Sequence, residues 1–507
     1  MSNTINSRPN PKKRGNLADA AKAPAQQLCR ALARQEKIAE FFIILPAPRA
    51  REKGRLAMTR KAFIFGLLMG LVLPWPVRAQ FGFRHTNVEL RDLIRKSKLD
   101  ELLVPILNEF GIDCWITLTR DPCDDMTNVI WERDIQLDPV VELIGGEEIK
   151  VPAAFIFTSS GERTAIASTQ DAGAIRDTGL YHKILTYTYN REKGHSEFLE
   201  ILGNTIKALN PKVIALNYSE EEGVADGLTV GLKMMFDRAV GPELAGRIVP
   251  AEKVIVSLWN RKVTAEIHLI EKSSRESAEI TTDVLKRVTP GVTTAREIFD
   301  QIRKRMEEAG MQPGWQEWWC PTVSVGTFRL GKPPSDKVVE RGDLIVVNSG
   351  FLVEGYMSDL NKIAYVLREG ETEPPALIKR MFKTGLEATR AAVAVIRPGA
   401  TGYEVDKAAR DVVTGAGFRE YGHATGHTTG VWVHGLGVIL GPRWKAYGEK
   451  IYMKIHKNDI YAVEPSITVY SEKDKAPLRI HFQEMVIVEE NGARYLTPPV
   501  TEPLLLK

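Results

Sequence analysis

Eight side chains in the second half of this 507-residue chain stand out, because each is a polar group set at the edge of an apolar run. Asp343-Leu-Ile-Val-Val347 ends at Asn348-Ser349-Gly350, and Asp359, preceded by Ser358, follows eleven residues after Asn348. His423-Ala-Thr-Gly-His427 comes next, then Val431-Trp-Val-His434. Tyr461-Ala-Val-Glu464-Pro465 puts a carboxylate at the end of another apolar run, and His481 and Gln483 precede Met485-Val-Ile-Val488. Each alone is ordinary: a lone histidine in an apolar stretch is more often a satisfied core residue than a ligand. Taken together, two carboxylates and several imidazoles are the donor types that hold a divalent ion and move protons. None of the cysteines has a nucleophile motif. Cys114 and Cys123 are close enough in sequence to pair in an oxidising compartment.

These residues need elements to hold them. Residues 80–252 read as an α/β domain. An amphipathic stretch runs over Leu99–Phe110 and a strand over Cys114–Thr119. Two further strands flank the hairpin signal Ser159-Ser160-Gly161, and a helix over Phe198–Ala208 precedes the apolar run Lys212–Leu216. The alternation implies a mixed or parallel sheet. With no glycine-rich phosphate loop, a nucleotide role is not expected. Residues 253–263 read as a connection, and a long helix starts near Ala265. An internal echo follows. Pro290-Gly-Val-Thr-Thr-Ala-Arg-Glu297 leads through a helix to Ala309-Gly310, and Pro398-Gly-Ala-Thr-Gly-Tyr-Glu404 leads through another to Ala416-Gly417, 108 residues later. Thr294 and Glu297 fit a capping box. The repetition implies pseudo-twofold architecture over residues 253–507.

In that order the eight residues resemble the creatinase/aminopeptidase family, and within it aminopeptidase P and prolidase. The resemblance covers essentially residues 80–507. It implies an α/β creatinase-type N-terminal domain (80–252) followed by an α+β pita-bread catalytic domain (253–507). It also implies five metal ligands in chain order: Asp, Asp, His, Glu, Glu. Asp359, His427 and Glu464 match the second, third and fourth. Asn348 stands where the first aspartate belongs. Counting back from Val486-Ile-Val488 puts Gln483 where the last glutamate belongs, with His481 replacing the usual arginine two residues earlier. A second register, with a two-residue insertion, reads Arg479-Ile-His481 as that segment. His423 and His434 match histidines that bind substrate or stabilise the transition state. The family histidine before the first aspartate is missing: Gly326–Lys332 contains none.

The two amides look coordinated. Four carboxylates need two divalent ions, since each pair at about 4 Å repels by roughly 4 kcal/mol at an effective dielectric of about 20. In the family, the positions of Asn348 and Gln483 serve one and the same ion. Asp359, His427 and Glu464 remain, a set suited to one Zn, Mn or Fe(II), or to a metal-free site. The resemblance implies a hydrolase of short peptides with proline at the second position, or of a small amide, working as a homodimer. His423, His434 and His481 are the expected catalytic residues. A metal-independent hydrolase or lyase of creatinase type, and a non-catalytic binding protein, are the alternatives.

Charge and hydropathy set the context. The net charge of +4 is concentrated at the start: residues 1–57 carry +8 and residues 58–79 carry +3, which leaves −7 for the remainder. An acidic body has no electrostatic footprint for nucleic acid. Met58-Thr-Arg-Lys61, the apolar run Ala62–Leu73 and Val77-Arg-Ala79 read as a signal peptide with Gln80 as the first mature residue. The run is too short to span a membrane comfortably. Residues 1–57 then read as an upstream extension, and the mature protein is expected in the periplasm or secreted.

Overall fold

The computed structural model describes residues 87–120, 138–147, 149–190, 192, 194–471 and 475–507. The segments 1–57 and 58–79 and residue Cys123 lie outside them. Cys114 is a buried free thiol.

Up to Pro250 the strands join one six-stranded sheet. Its order is Lys183–Tyr187, Arg163–Ser168, Ala153–Thr158, Cys114–Thr119, Ile214–Leu216 and Ile248–Pro250. The three central strands pair antiparallel and the flanking pairs are parallel, giving the mixed sheet that the alternation implies. The central strands are fully buried, which explains their near-continuous apolar runs. Helices Ser196–Leu209 and Val230–Val240 cover the sheet through Phe198, Leu202, Ile206 and Phe236. The run beginning at Lys212 contributes only Ile214–Leu216 to the sheet. The segment expected to be a connection is helical over Glu252–Asn260, with Val254 to Asn260 buried; burial along the whole length overrides the loop reading.

The internal echo is structural. Helix Ala295–Glu308 starts at Thr294 and helix Gly402–Gly415 at Thr401. In both, the threonine hydroxyl accepts from the backbone of a glutamate three residues on, which reaches back to the cap. Gly291 and Gly399 take the matched positive φ values of 78° and 86° in the Pro-Gly turns, and a side chain would be strained there. The two cap threonines bridge Val338 and Lys454 respectively. Between them the halves supply a four-stranded sheet (Leu504–Leu506, Leu360–Val366, Leu344–Ser349, Thr322–Val325) and a five-stranded one (Ile439–Leu440, Gly426–Thr428, Ile460–Val463, Glu484–Glu489, Gly492–Tyr495). Helices Ala376–Val395 and Gly402–Gly415 share a core with these sheets, centred on Met381, Ala409, Tyr461 and Phe482.

A buried ion pair ties the first helices to this half. Lys98 Nζ lies 2.8 Å from Glu266 Oε2 with both side chains essentially inaccessible. It also donates to the carbonyls of Leu258 (2.6 Å) and Arg261 (3.0 Å). Glu266 further accepts from Tyr356 Oη at 2.8 Å and from the Val263 amide at 2.8 Å. Removing one partner strands the other charge, so Lys98→Met is expected to lower stability by about 3–5 kcal/mol in urea unfolding. An unchanged midpoint would mean that Glu266 finds water.

Candidate active site

Strand register places the first two residues of the set. Asn348 lies opposite Asn361, and Asp359 is two residues before Asn361, so it projects from the same sheet face, diagonal to Asn348. The second pair is built alike. His427 lies opposite Ala462, and Glu464 is two residues beyond Ala462. The two diagonals face each other across the halves. His427 Nε2 comes to 3.6 Å from Asp359 Oδ2 and 3.8 Å from Glu464 Oε1.

Gln483 closes the arrangement. It follows the strand Ala476–His481 and precedes Glu484–Glu489. Its carbonyl accepts from the Asn361 amide at 3.0 Å, which joins it to the first sheet. Asn348 Nδ2 donates to both Gln483 Oε1 (2.6 Å) and Asp359 Oδ1 (3.0 Å). A neutral amide thus stands as a donor between two acceptor oxygens, the role a cation would have there. His481 also reaches in, with Nε2 at 3.4 Å from Glu464 Oε2. Positions 481 and 483 therefore both serve the site, although the strand stops at His481.

The two carboxyls are driven apart. Burial raises the Asp359 carboxyl to about 6, despite the opposing pull of His427. Against burial, the neighbouring His481 and His427 imidazoles hold Glu464 down to about 2. One carboxylate has claimed the surrounding imidazoles and the other is left inclined to keep a proton.

His423 sits beside this cluster, its ring 5.3 Å from that of His481. Nδ1–H donates to the Ala424 carbonyl at 2.8 Å, and Nε2 shares a 2.8 Å hydrogen bond with the Ser466 hydroxyl, which donates when the imidazole is neutral. Burial and the His481 charge push it down to about 4. An unfolded histidine binds its proton near 6.5. The depressed group therefore leaves stability intact above about 6.5 and removes it progressively as pH falls towards 4. His423→Gln is expected to flatten the acid side of a stability–pH profile across that window. Coincident wild-type and variant slopes would contradict it. His434 is exposed, its ring 4.4 Å from that of His427 and open to a ligand.

Sequence reasoning missed Ser466, a single serine after Glu-Pro with nothing to distinguish it. It also passed over Phe328, in the segment noted only for lacking a histidine. That ring meets His481 edge-on at 6.1 Å.

With this geometry in view, the chain can be set beside known proteins. Residues 268–490 match the model of metallopeptidase family M24. The M24 half is 28% identical over 241 residues to the Xaa-Pro dipeptidase of Pyrococcus horikoshii, covering 46% of this chain and 62% of that protein. The match thus spans less than two thirds of the relative. Among solved structures, the Xaa-Pro dipeptidase from Bacillus anthracis superposes with a TM-score of 0.54 at 18% identity, covering 81% of this chain and all of that one. The N-terminal domain of the FACT complex subunit SPT16 from chickpea superposes with a TM-score of 0.53 at 11% identity, over 83% of this chain and all of that one. These likenesses show the creatinase/aminopeptidase fold.

The matched family is one of metallopeptidases, which makes the spacing of the donors informative. Among the described residues, no group of three or more His, Cys, Asp or Glu is drawn in to ligand spacing. Donors around one ion at about 2.0–2.2 Å sit up to about 3.5 Å apart. The 3.6 and 3.8 Å separations at His427 Nε2 exceed that by a few tenths of an ångström. His427 Nε2 is buried, has no hydrogen-bond partner and faces two carboxylates. Donor chemistry and this orphaned nitrogen fit one divalent ion after a small closure. A second ion does not fit beside them, because Asn348 and Gln483 offer neutral amides that bond to each other.

Proposed function

We propose that this chain is an exported hydrolase of the Xaa-Pro dipeptidase or aminopeptidase type, acting on short peptides or small amides through a site with room for one divalent ion. The observation that carries the reading is the convergence of His427 Nε2, buried and without a partner, on Asp359 Oδ2 and Glu464 Oε1. The proline preference rests on the names of relatives such as the Pyrococcus horikoshii enzyme. Export rests on residues 58–79.

Asp359, His427 and Glu464 would hold the ion, and a bound ion would lower the pKa of water and polarise the scissile carbonyl. The chain's own residues supply the rest. His481 Nε2, 3.4 Å from Glu464 Oε2, is placed to pass a proton to the leaving amine. His434, exposed beside His427, is placed to donate to the developing oxyanion. Neutral His423 holds the edge of the pocket through Ser466.

A metal-independent or purely binding site is the second reading. It is favoured by the Asn348 bond that satisfies Asp359 without any ion. Metal analysis of the purified mature protein, together with cleavage of Xaa-Pro dipeptides and tripeptides, separates the two. One ion per chain with cleavage abolished by chelation supports the first; no bound metal and no cleavage defeats it. N-terminal sequencing of the exported protein is expected to begin at Gln80, and a mature chain retaining residues before Met58 would defeat export.

A further inference from the structure

The two repeated helices differ at one buried acid. Nine residues after the cap threonines Thr294 and Thr401 both helices carry an arginine, Arg303 and Arg410. Each donates to backbone carbonyls of the segment leading into a strand. Arg303 Nη1 reaches the carbonyls of Glu317 (3.1 Å) and Cys320 (3.4 Å), ahead of Thr322–Val325. Arg410 Nη1 and Nη2 reach those of Tyr421 (2.8 Å) and His423 (2.5 Å), ahead of Gly426–Thr428. The arginine brace is therefore common to both halves. Five residues after the caps the halves part: the first has Phe299, the second Asp406, which is essentially inaccessible.

Asp406 does more than pair with Arg410. Its Oδ2 accepts from Arg410 Nε at 2.7 Å, while its Oδ1 accepts from the Thr425 hydroxyl at 2.7 Å and the Thr425 amide at 3.2 Å. The Thr425 carbonyl in turn accepts from the Glu464 amide at 2.7 Å. Thr425 is thus held at its nitrogen, its hydroxyl and its carbonyl, with Asp406 on one side and the Glu464 backbone on the other. A buried ion pair is weak evidence for stability, because apolar residues of similar volume often serve as well. The first half makes the point within this chain, since it places Phe299 at the same helix position. What an acid adds is acceptor capacity: an ionised carboxylate can take a guanidinium, a hydroxyl and an amide together.

We infer that Asp406 is a positioning residue: by gripping Thr425 it fixes the backbone from which Glu464 enters the site. The inference rests on the peptidase reading above, in which Glu464 serves the reaction, and assigns that residue a support on the repeated helix. A merely structural acid, when lost, loosens the second half as a whole. A positioning acid loosens the Thr425–Glu464 contact and leaves the facing sheet unchanged.

The test compares Asp406→Asn and Thr425→Val with wild type. Both weaken the grip on Thr425, and the second leaves the Asp406–Arg410 pair intact. Hydrogen exchange of the purified protein in chelator, read by fragment-resolved mass spectrometry, should show the Glu464 amide exchanging roughly tenfold faster in both variants, with strand Leu344–Ser349 as protected as in wild type. With Mn²⁺ added, kcat on Xaa-Pro dipeptides should fall roughly a hundredfold in Asp406→Asn and roughly tenfold in Thr425→Val, with KM nearly unchanged. Unchanged exchange at Glu464, loosening that spreads equally to Leu344–Ser349, or kcat at the wild-type value would overturn the inference. Should Asp406→Asn fail to fold, Thr425→Val decides on the same terms. If wild type cleaves no peptide, the peptidase reading fails, and the exchange pattern alone decides whether Asp406 holds Glu464.

Discussion

The paired substitution Asn348→Asp with Gln483→Glu is expected to raise bound divalent metal from at most one ion per chain to two. In the native chain Asn348 Nδ2 spans Asp359 Oδ1 and Gln483 Oε1, at 3.0 and 2.6 Å, and so occupies the electrostatic role of the second ion. Both substitutions are near-isosteric, and they convert a donor and a neutral acceptor into two anions beside Asp359 and Glu464. Without metal, each carboxylate pair at about 4 Å then repels by roughly 4 kcal/mol at an effective dielectric of about 20. The double variant should therefore melt well below wild type in chelator and recover on adding Mn²⁺ or Zn²⁺, which wild type should do far less. Each single substitution should be worse than the pair in metal, because one amide still lies in the ligand shell. Elemental analysis and thermal melts decide it. A double variant that binds no more metal than wild type would show that Gln483 is not the lost bridging ligand.

Glu464→Gln is expected to reduce peptide cleavage by roughly a thousandfold or more while the protein stays folded. Glu464 is the hub of the site: Oε1 faces His427 Nε2 at 3.8 Å and Oε2 faces His481 Nε2 at 3.4 Å. Held ionised down to about 2, chiefly by those imidazoles working against burial, it supplies the charge that orients both. An amide of the same shape keeps the packing and loses the charge. It would remove a ligand from the one-ion site and the partner that fixes His481 for proton transfer. The loss should appear in kcat/KM. Activity within about tenfold of wild type would show that catalysis, if present, does not use Glu464.

Much of the site was legible because its residues sit at the edges of strands. A polar side chain ending an apolar run is visible in sequence, but only the order shared with a known family drew Asp359, His427, Glu464, Asn348 and Gln483 into one set, and the structure brings them together. The repeat was legible for a similar reason. Helix caps are local, and Thr294–Glu297 and Thr401–Glu404 each satisfy orphan amides within four residues. Where local signals were overridden, burial was the cause: Glu252–Asn260 is helical because nearly all of it packs inside.

What the order of residues determined is the donor inventory: two carboxylates, several imidazoles, and the two amides of Asn348 and Gln483. What only the tertiary structure decided is how these meet. His427 lies on a strand of one sheet with Glu464 just past its neighbour, Asn348 lies on a strand of another with Asp359 just before its neighbour, and a backbone bond from the Asn361 amide to the Gln483 carbonyl helps to join them. That Asn348 and Gln483 bond to each other, that His481 turns to Glu464, and that Phe328 and Thr468 hold Arg479 are contacts between segments as much as 151 residues apart. Side-chain periodicity fixes only which face a residue leaves; the packing of the two halves fixes what that face meets.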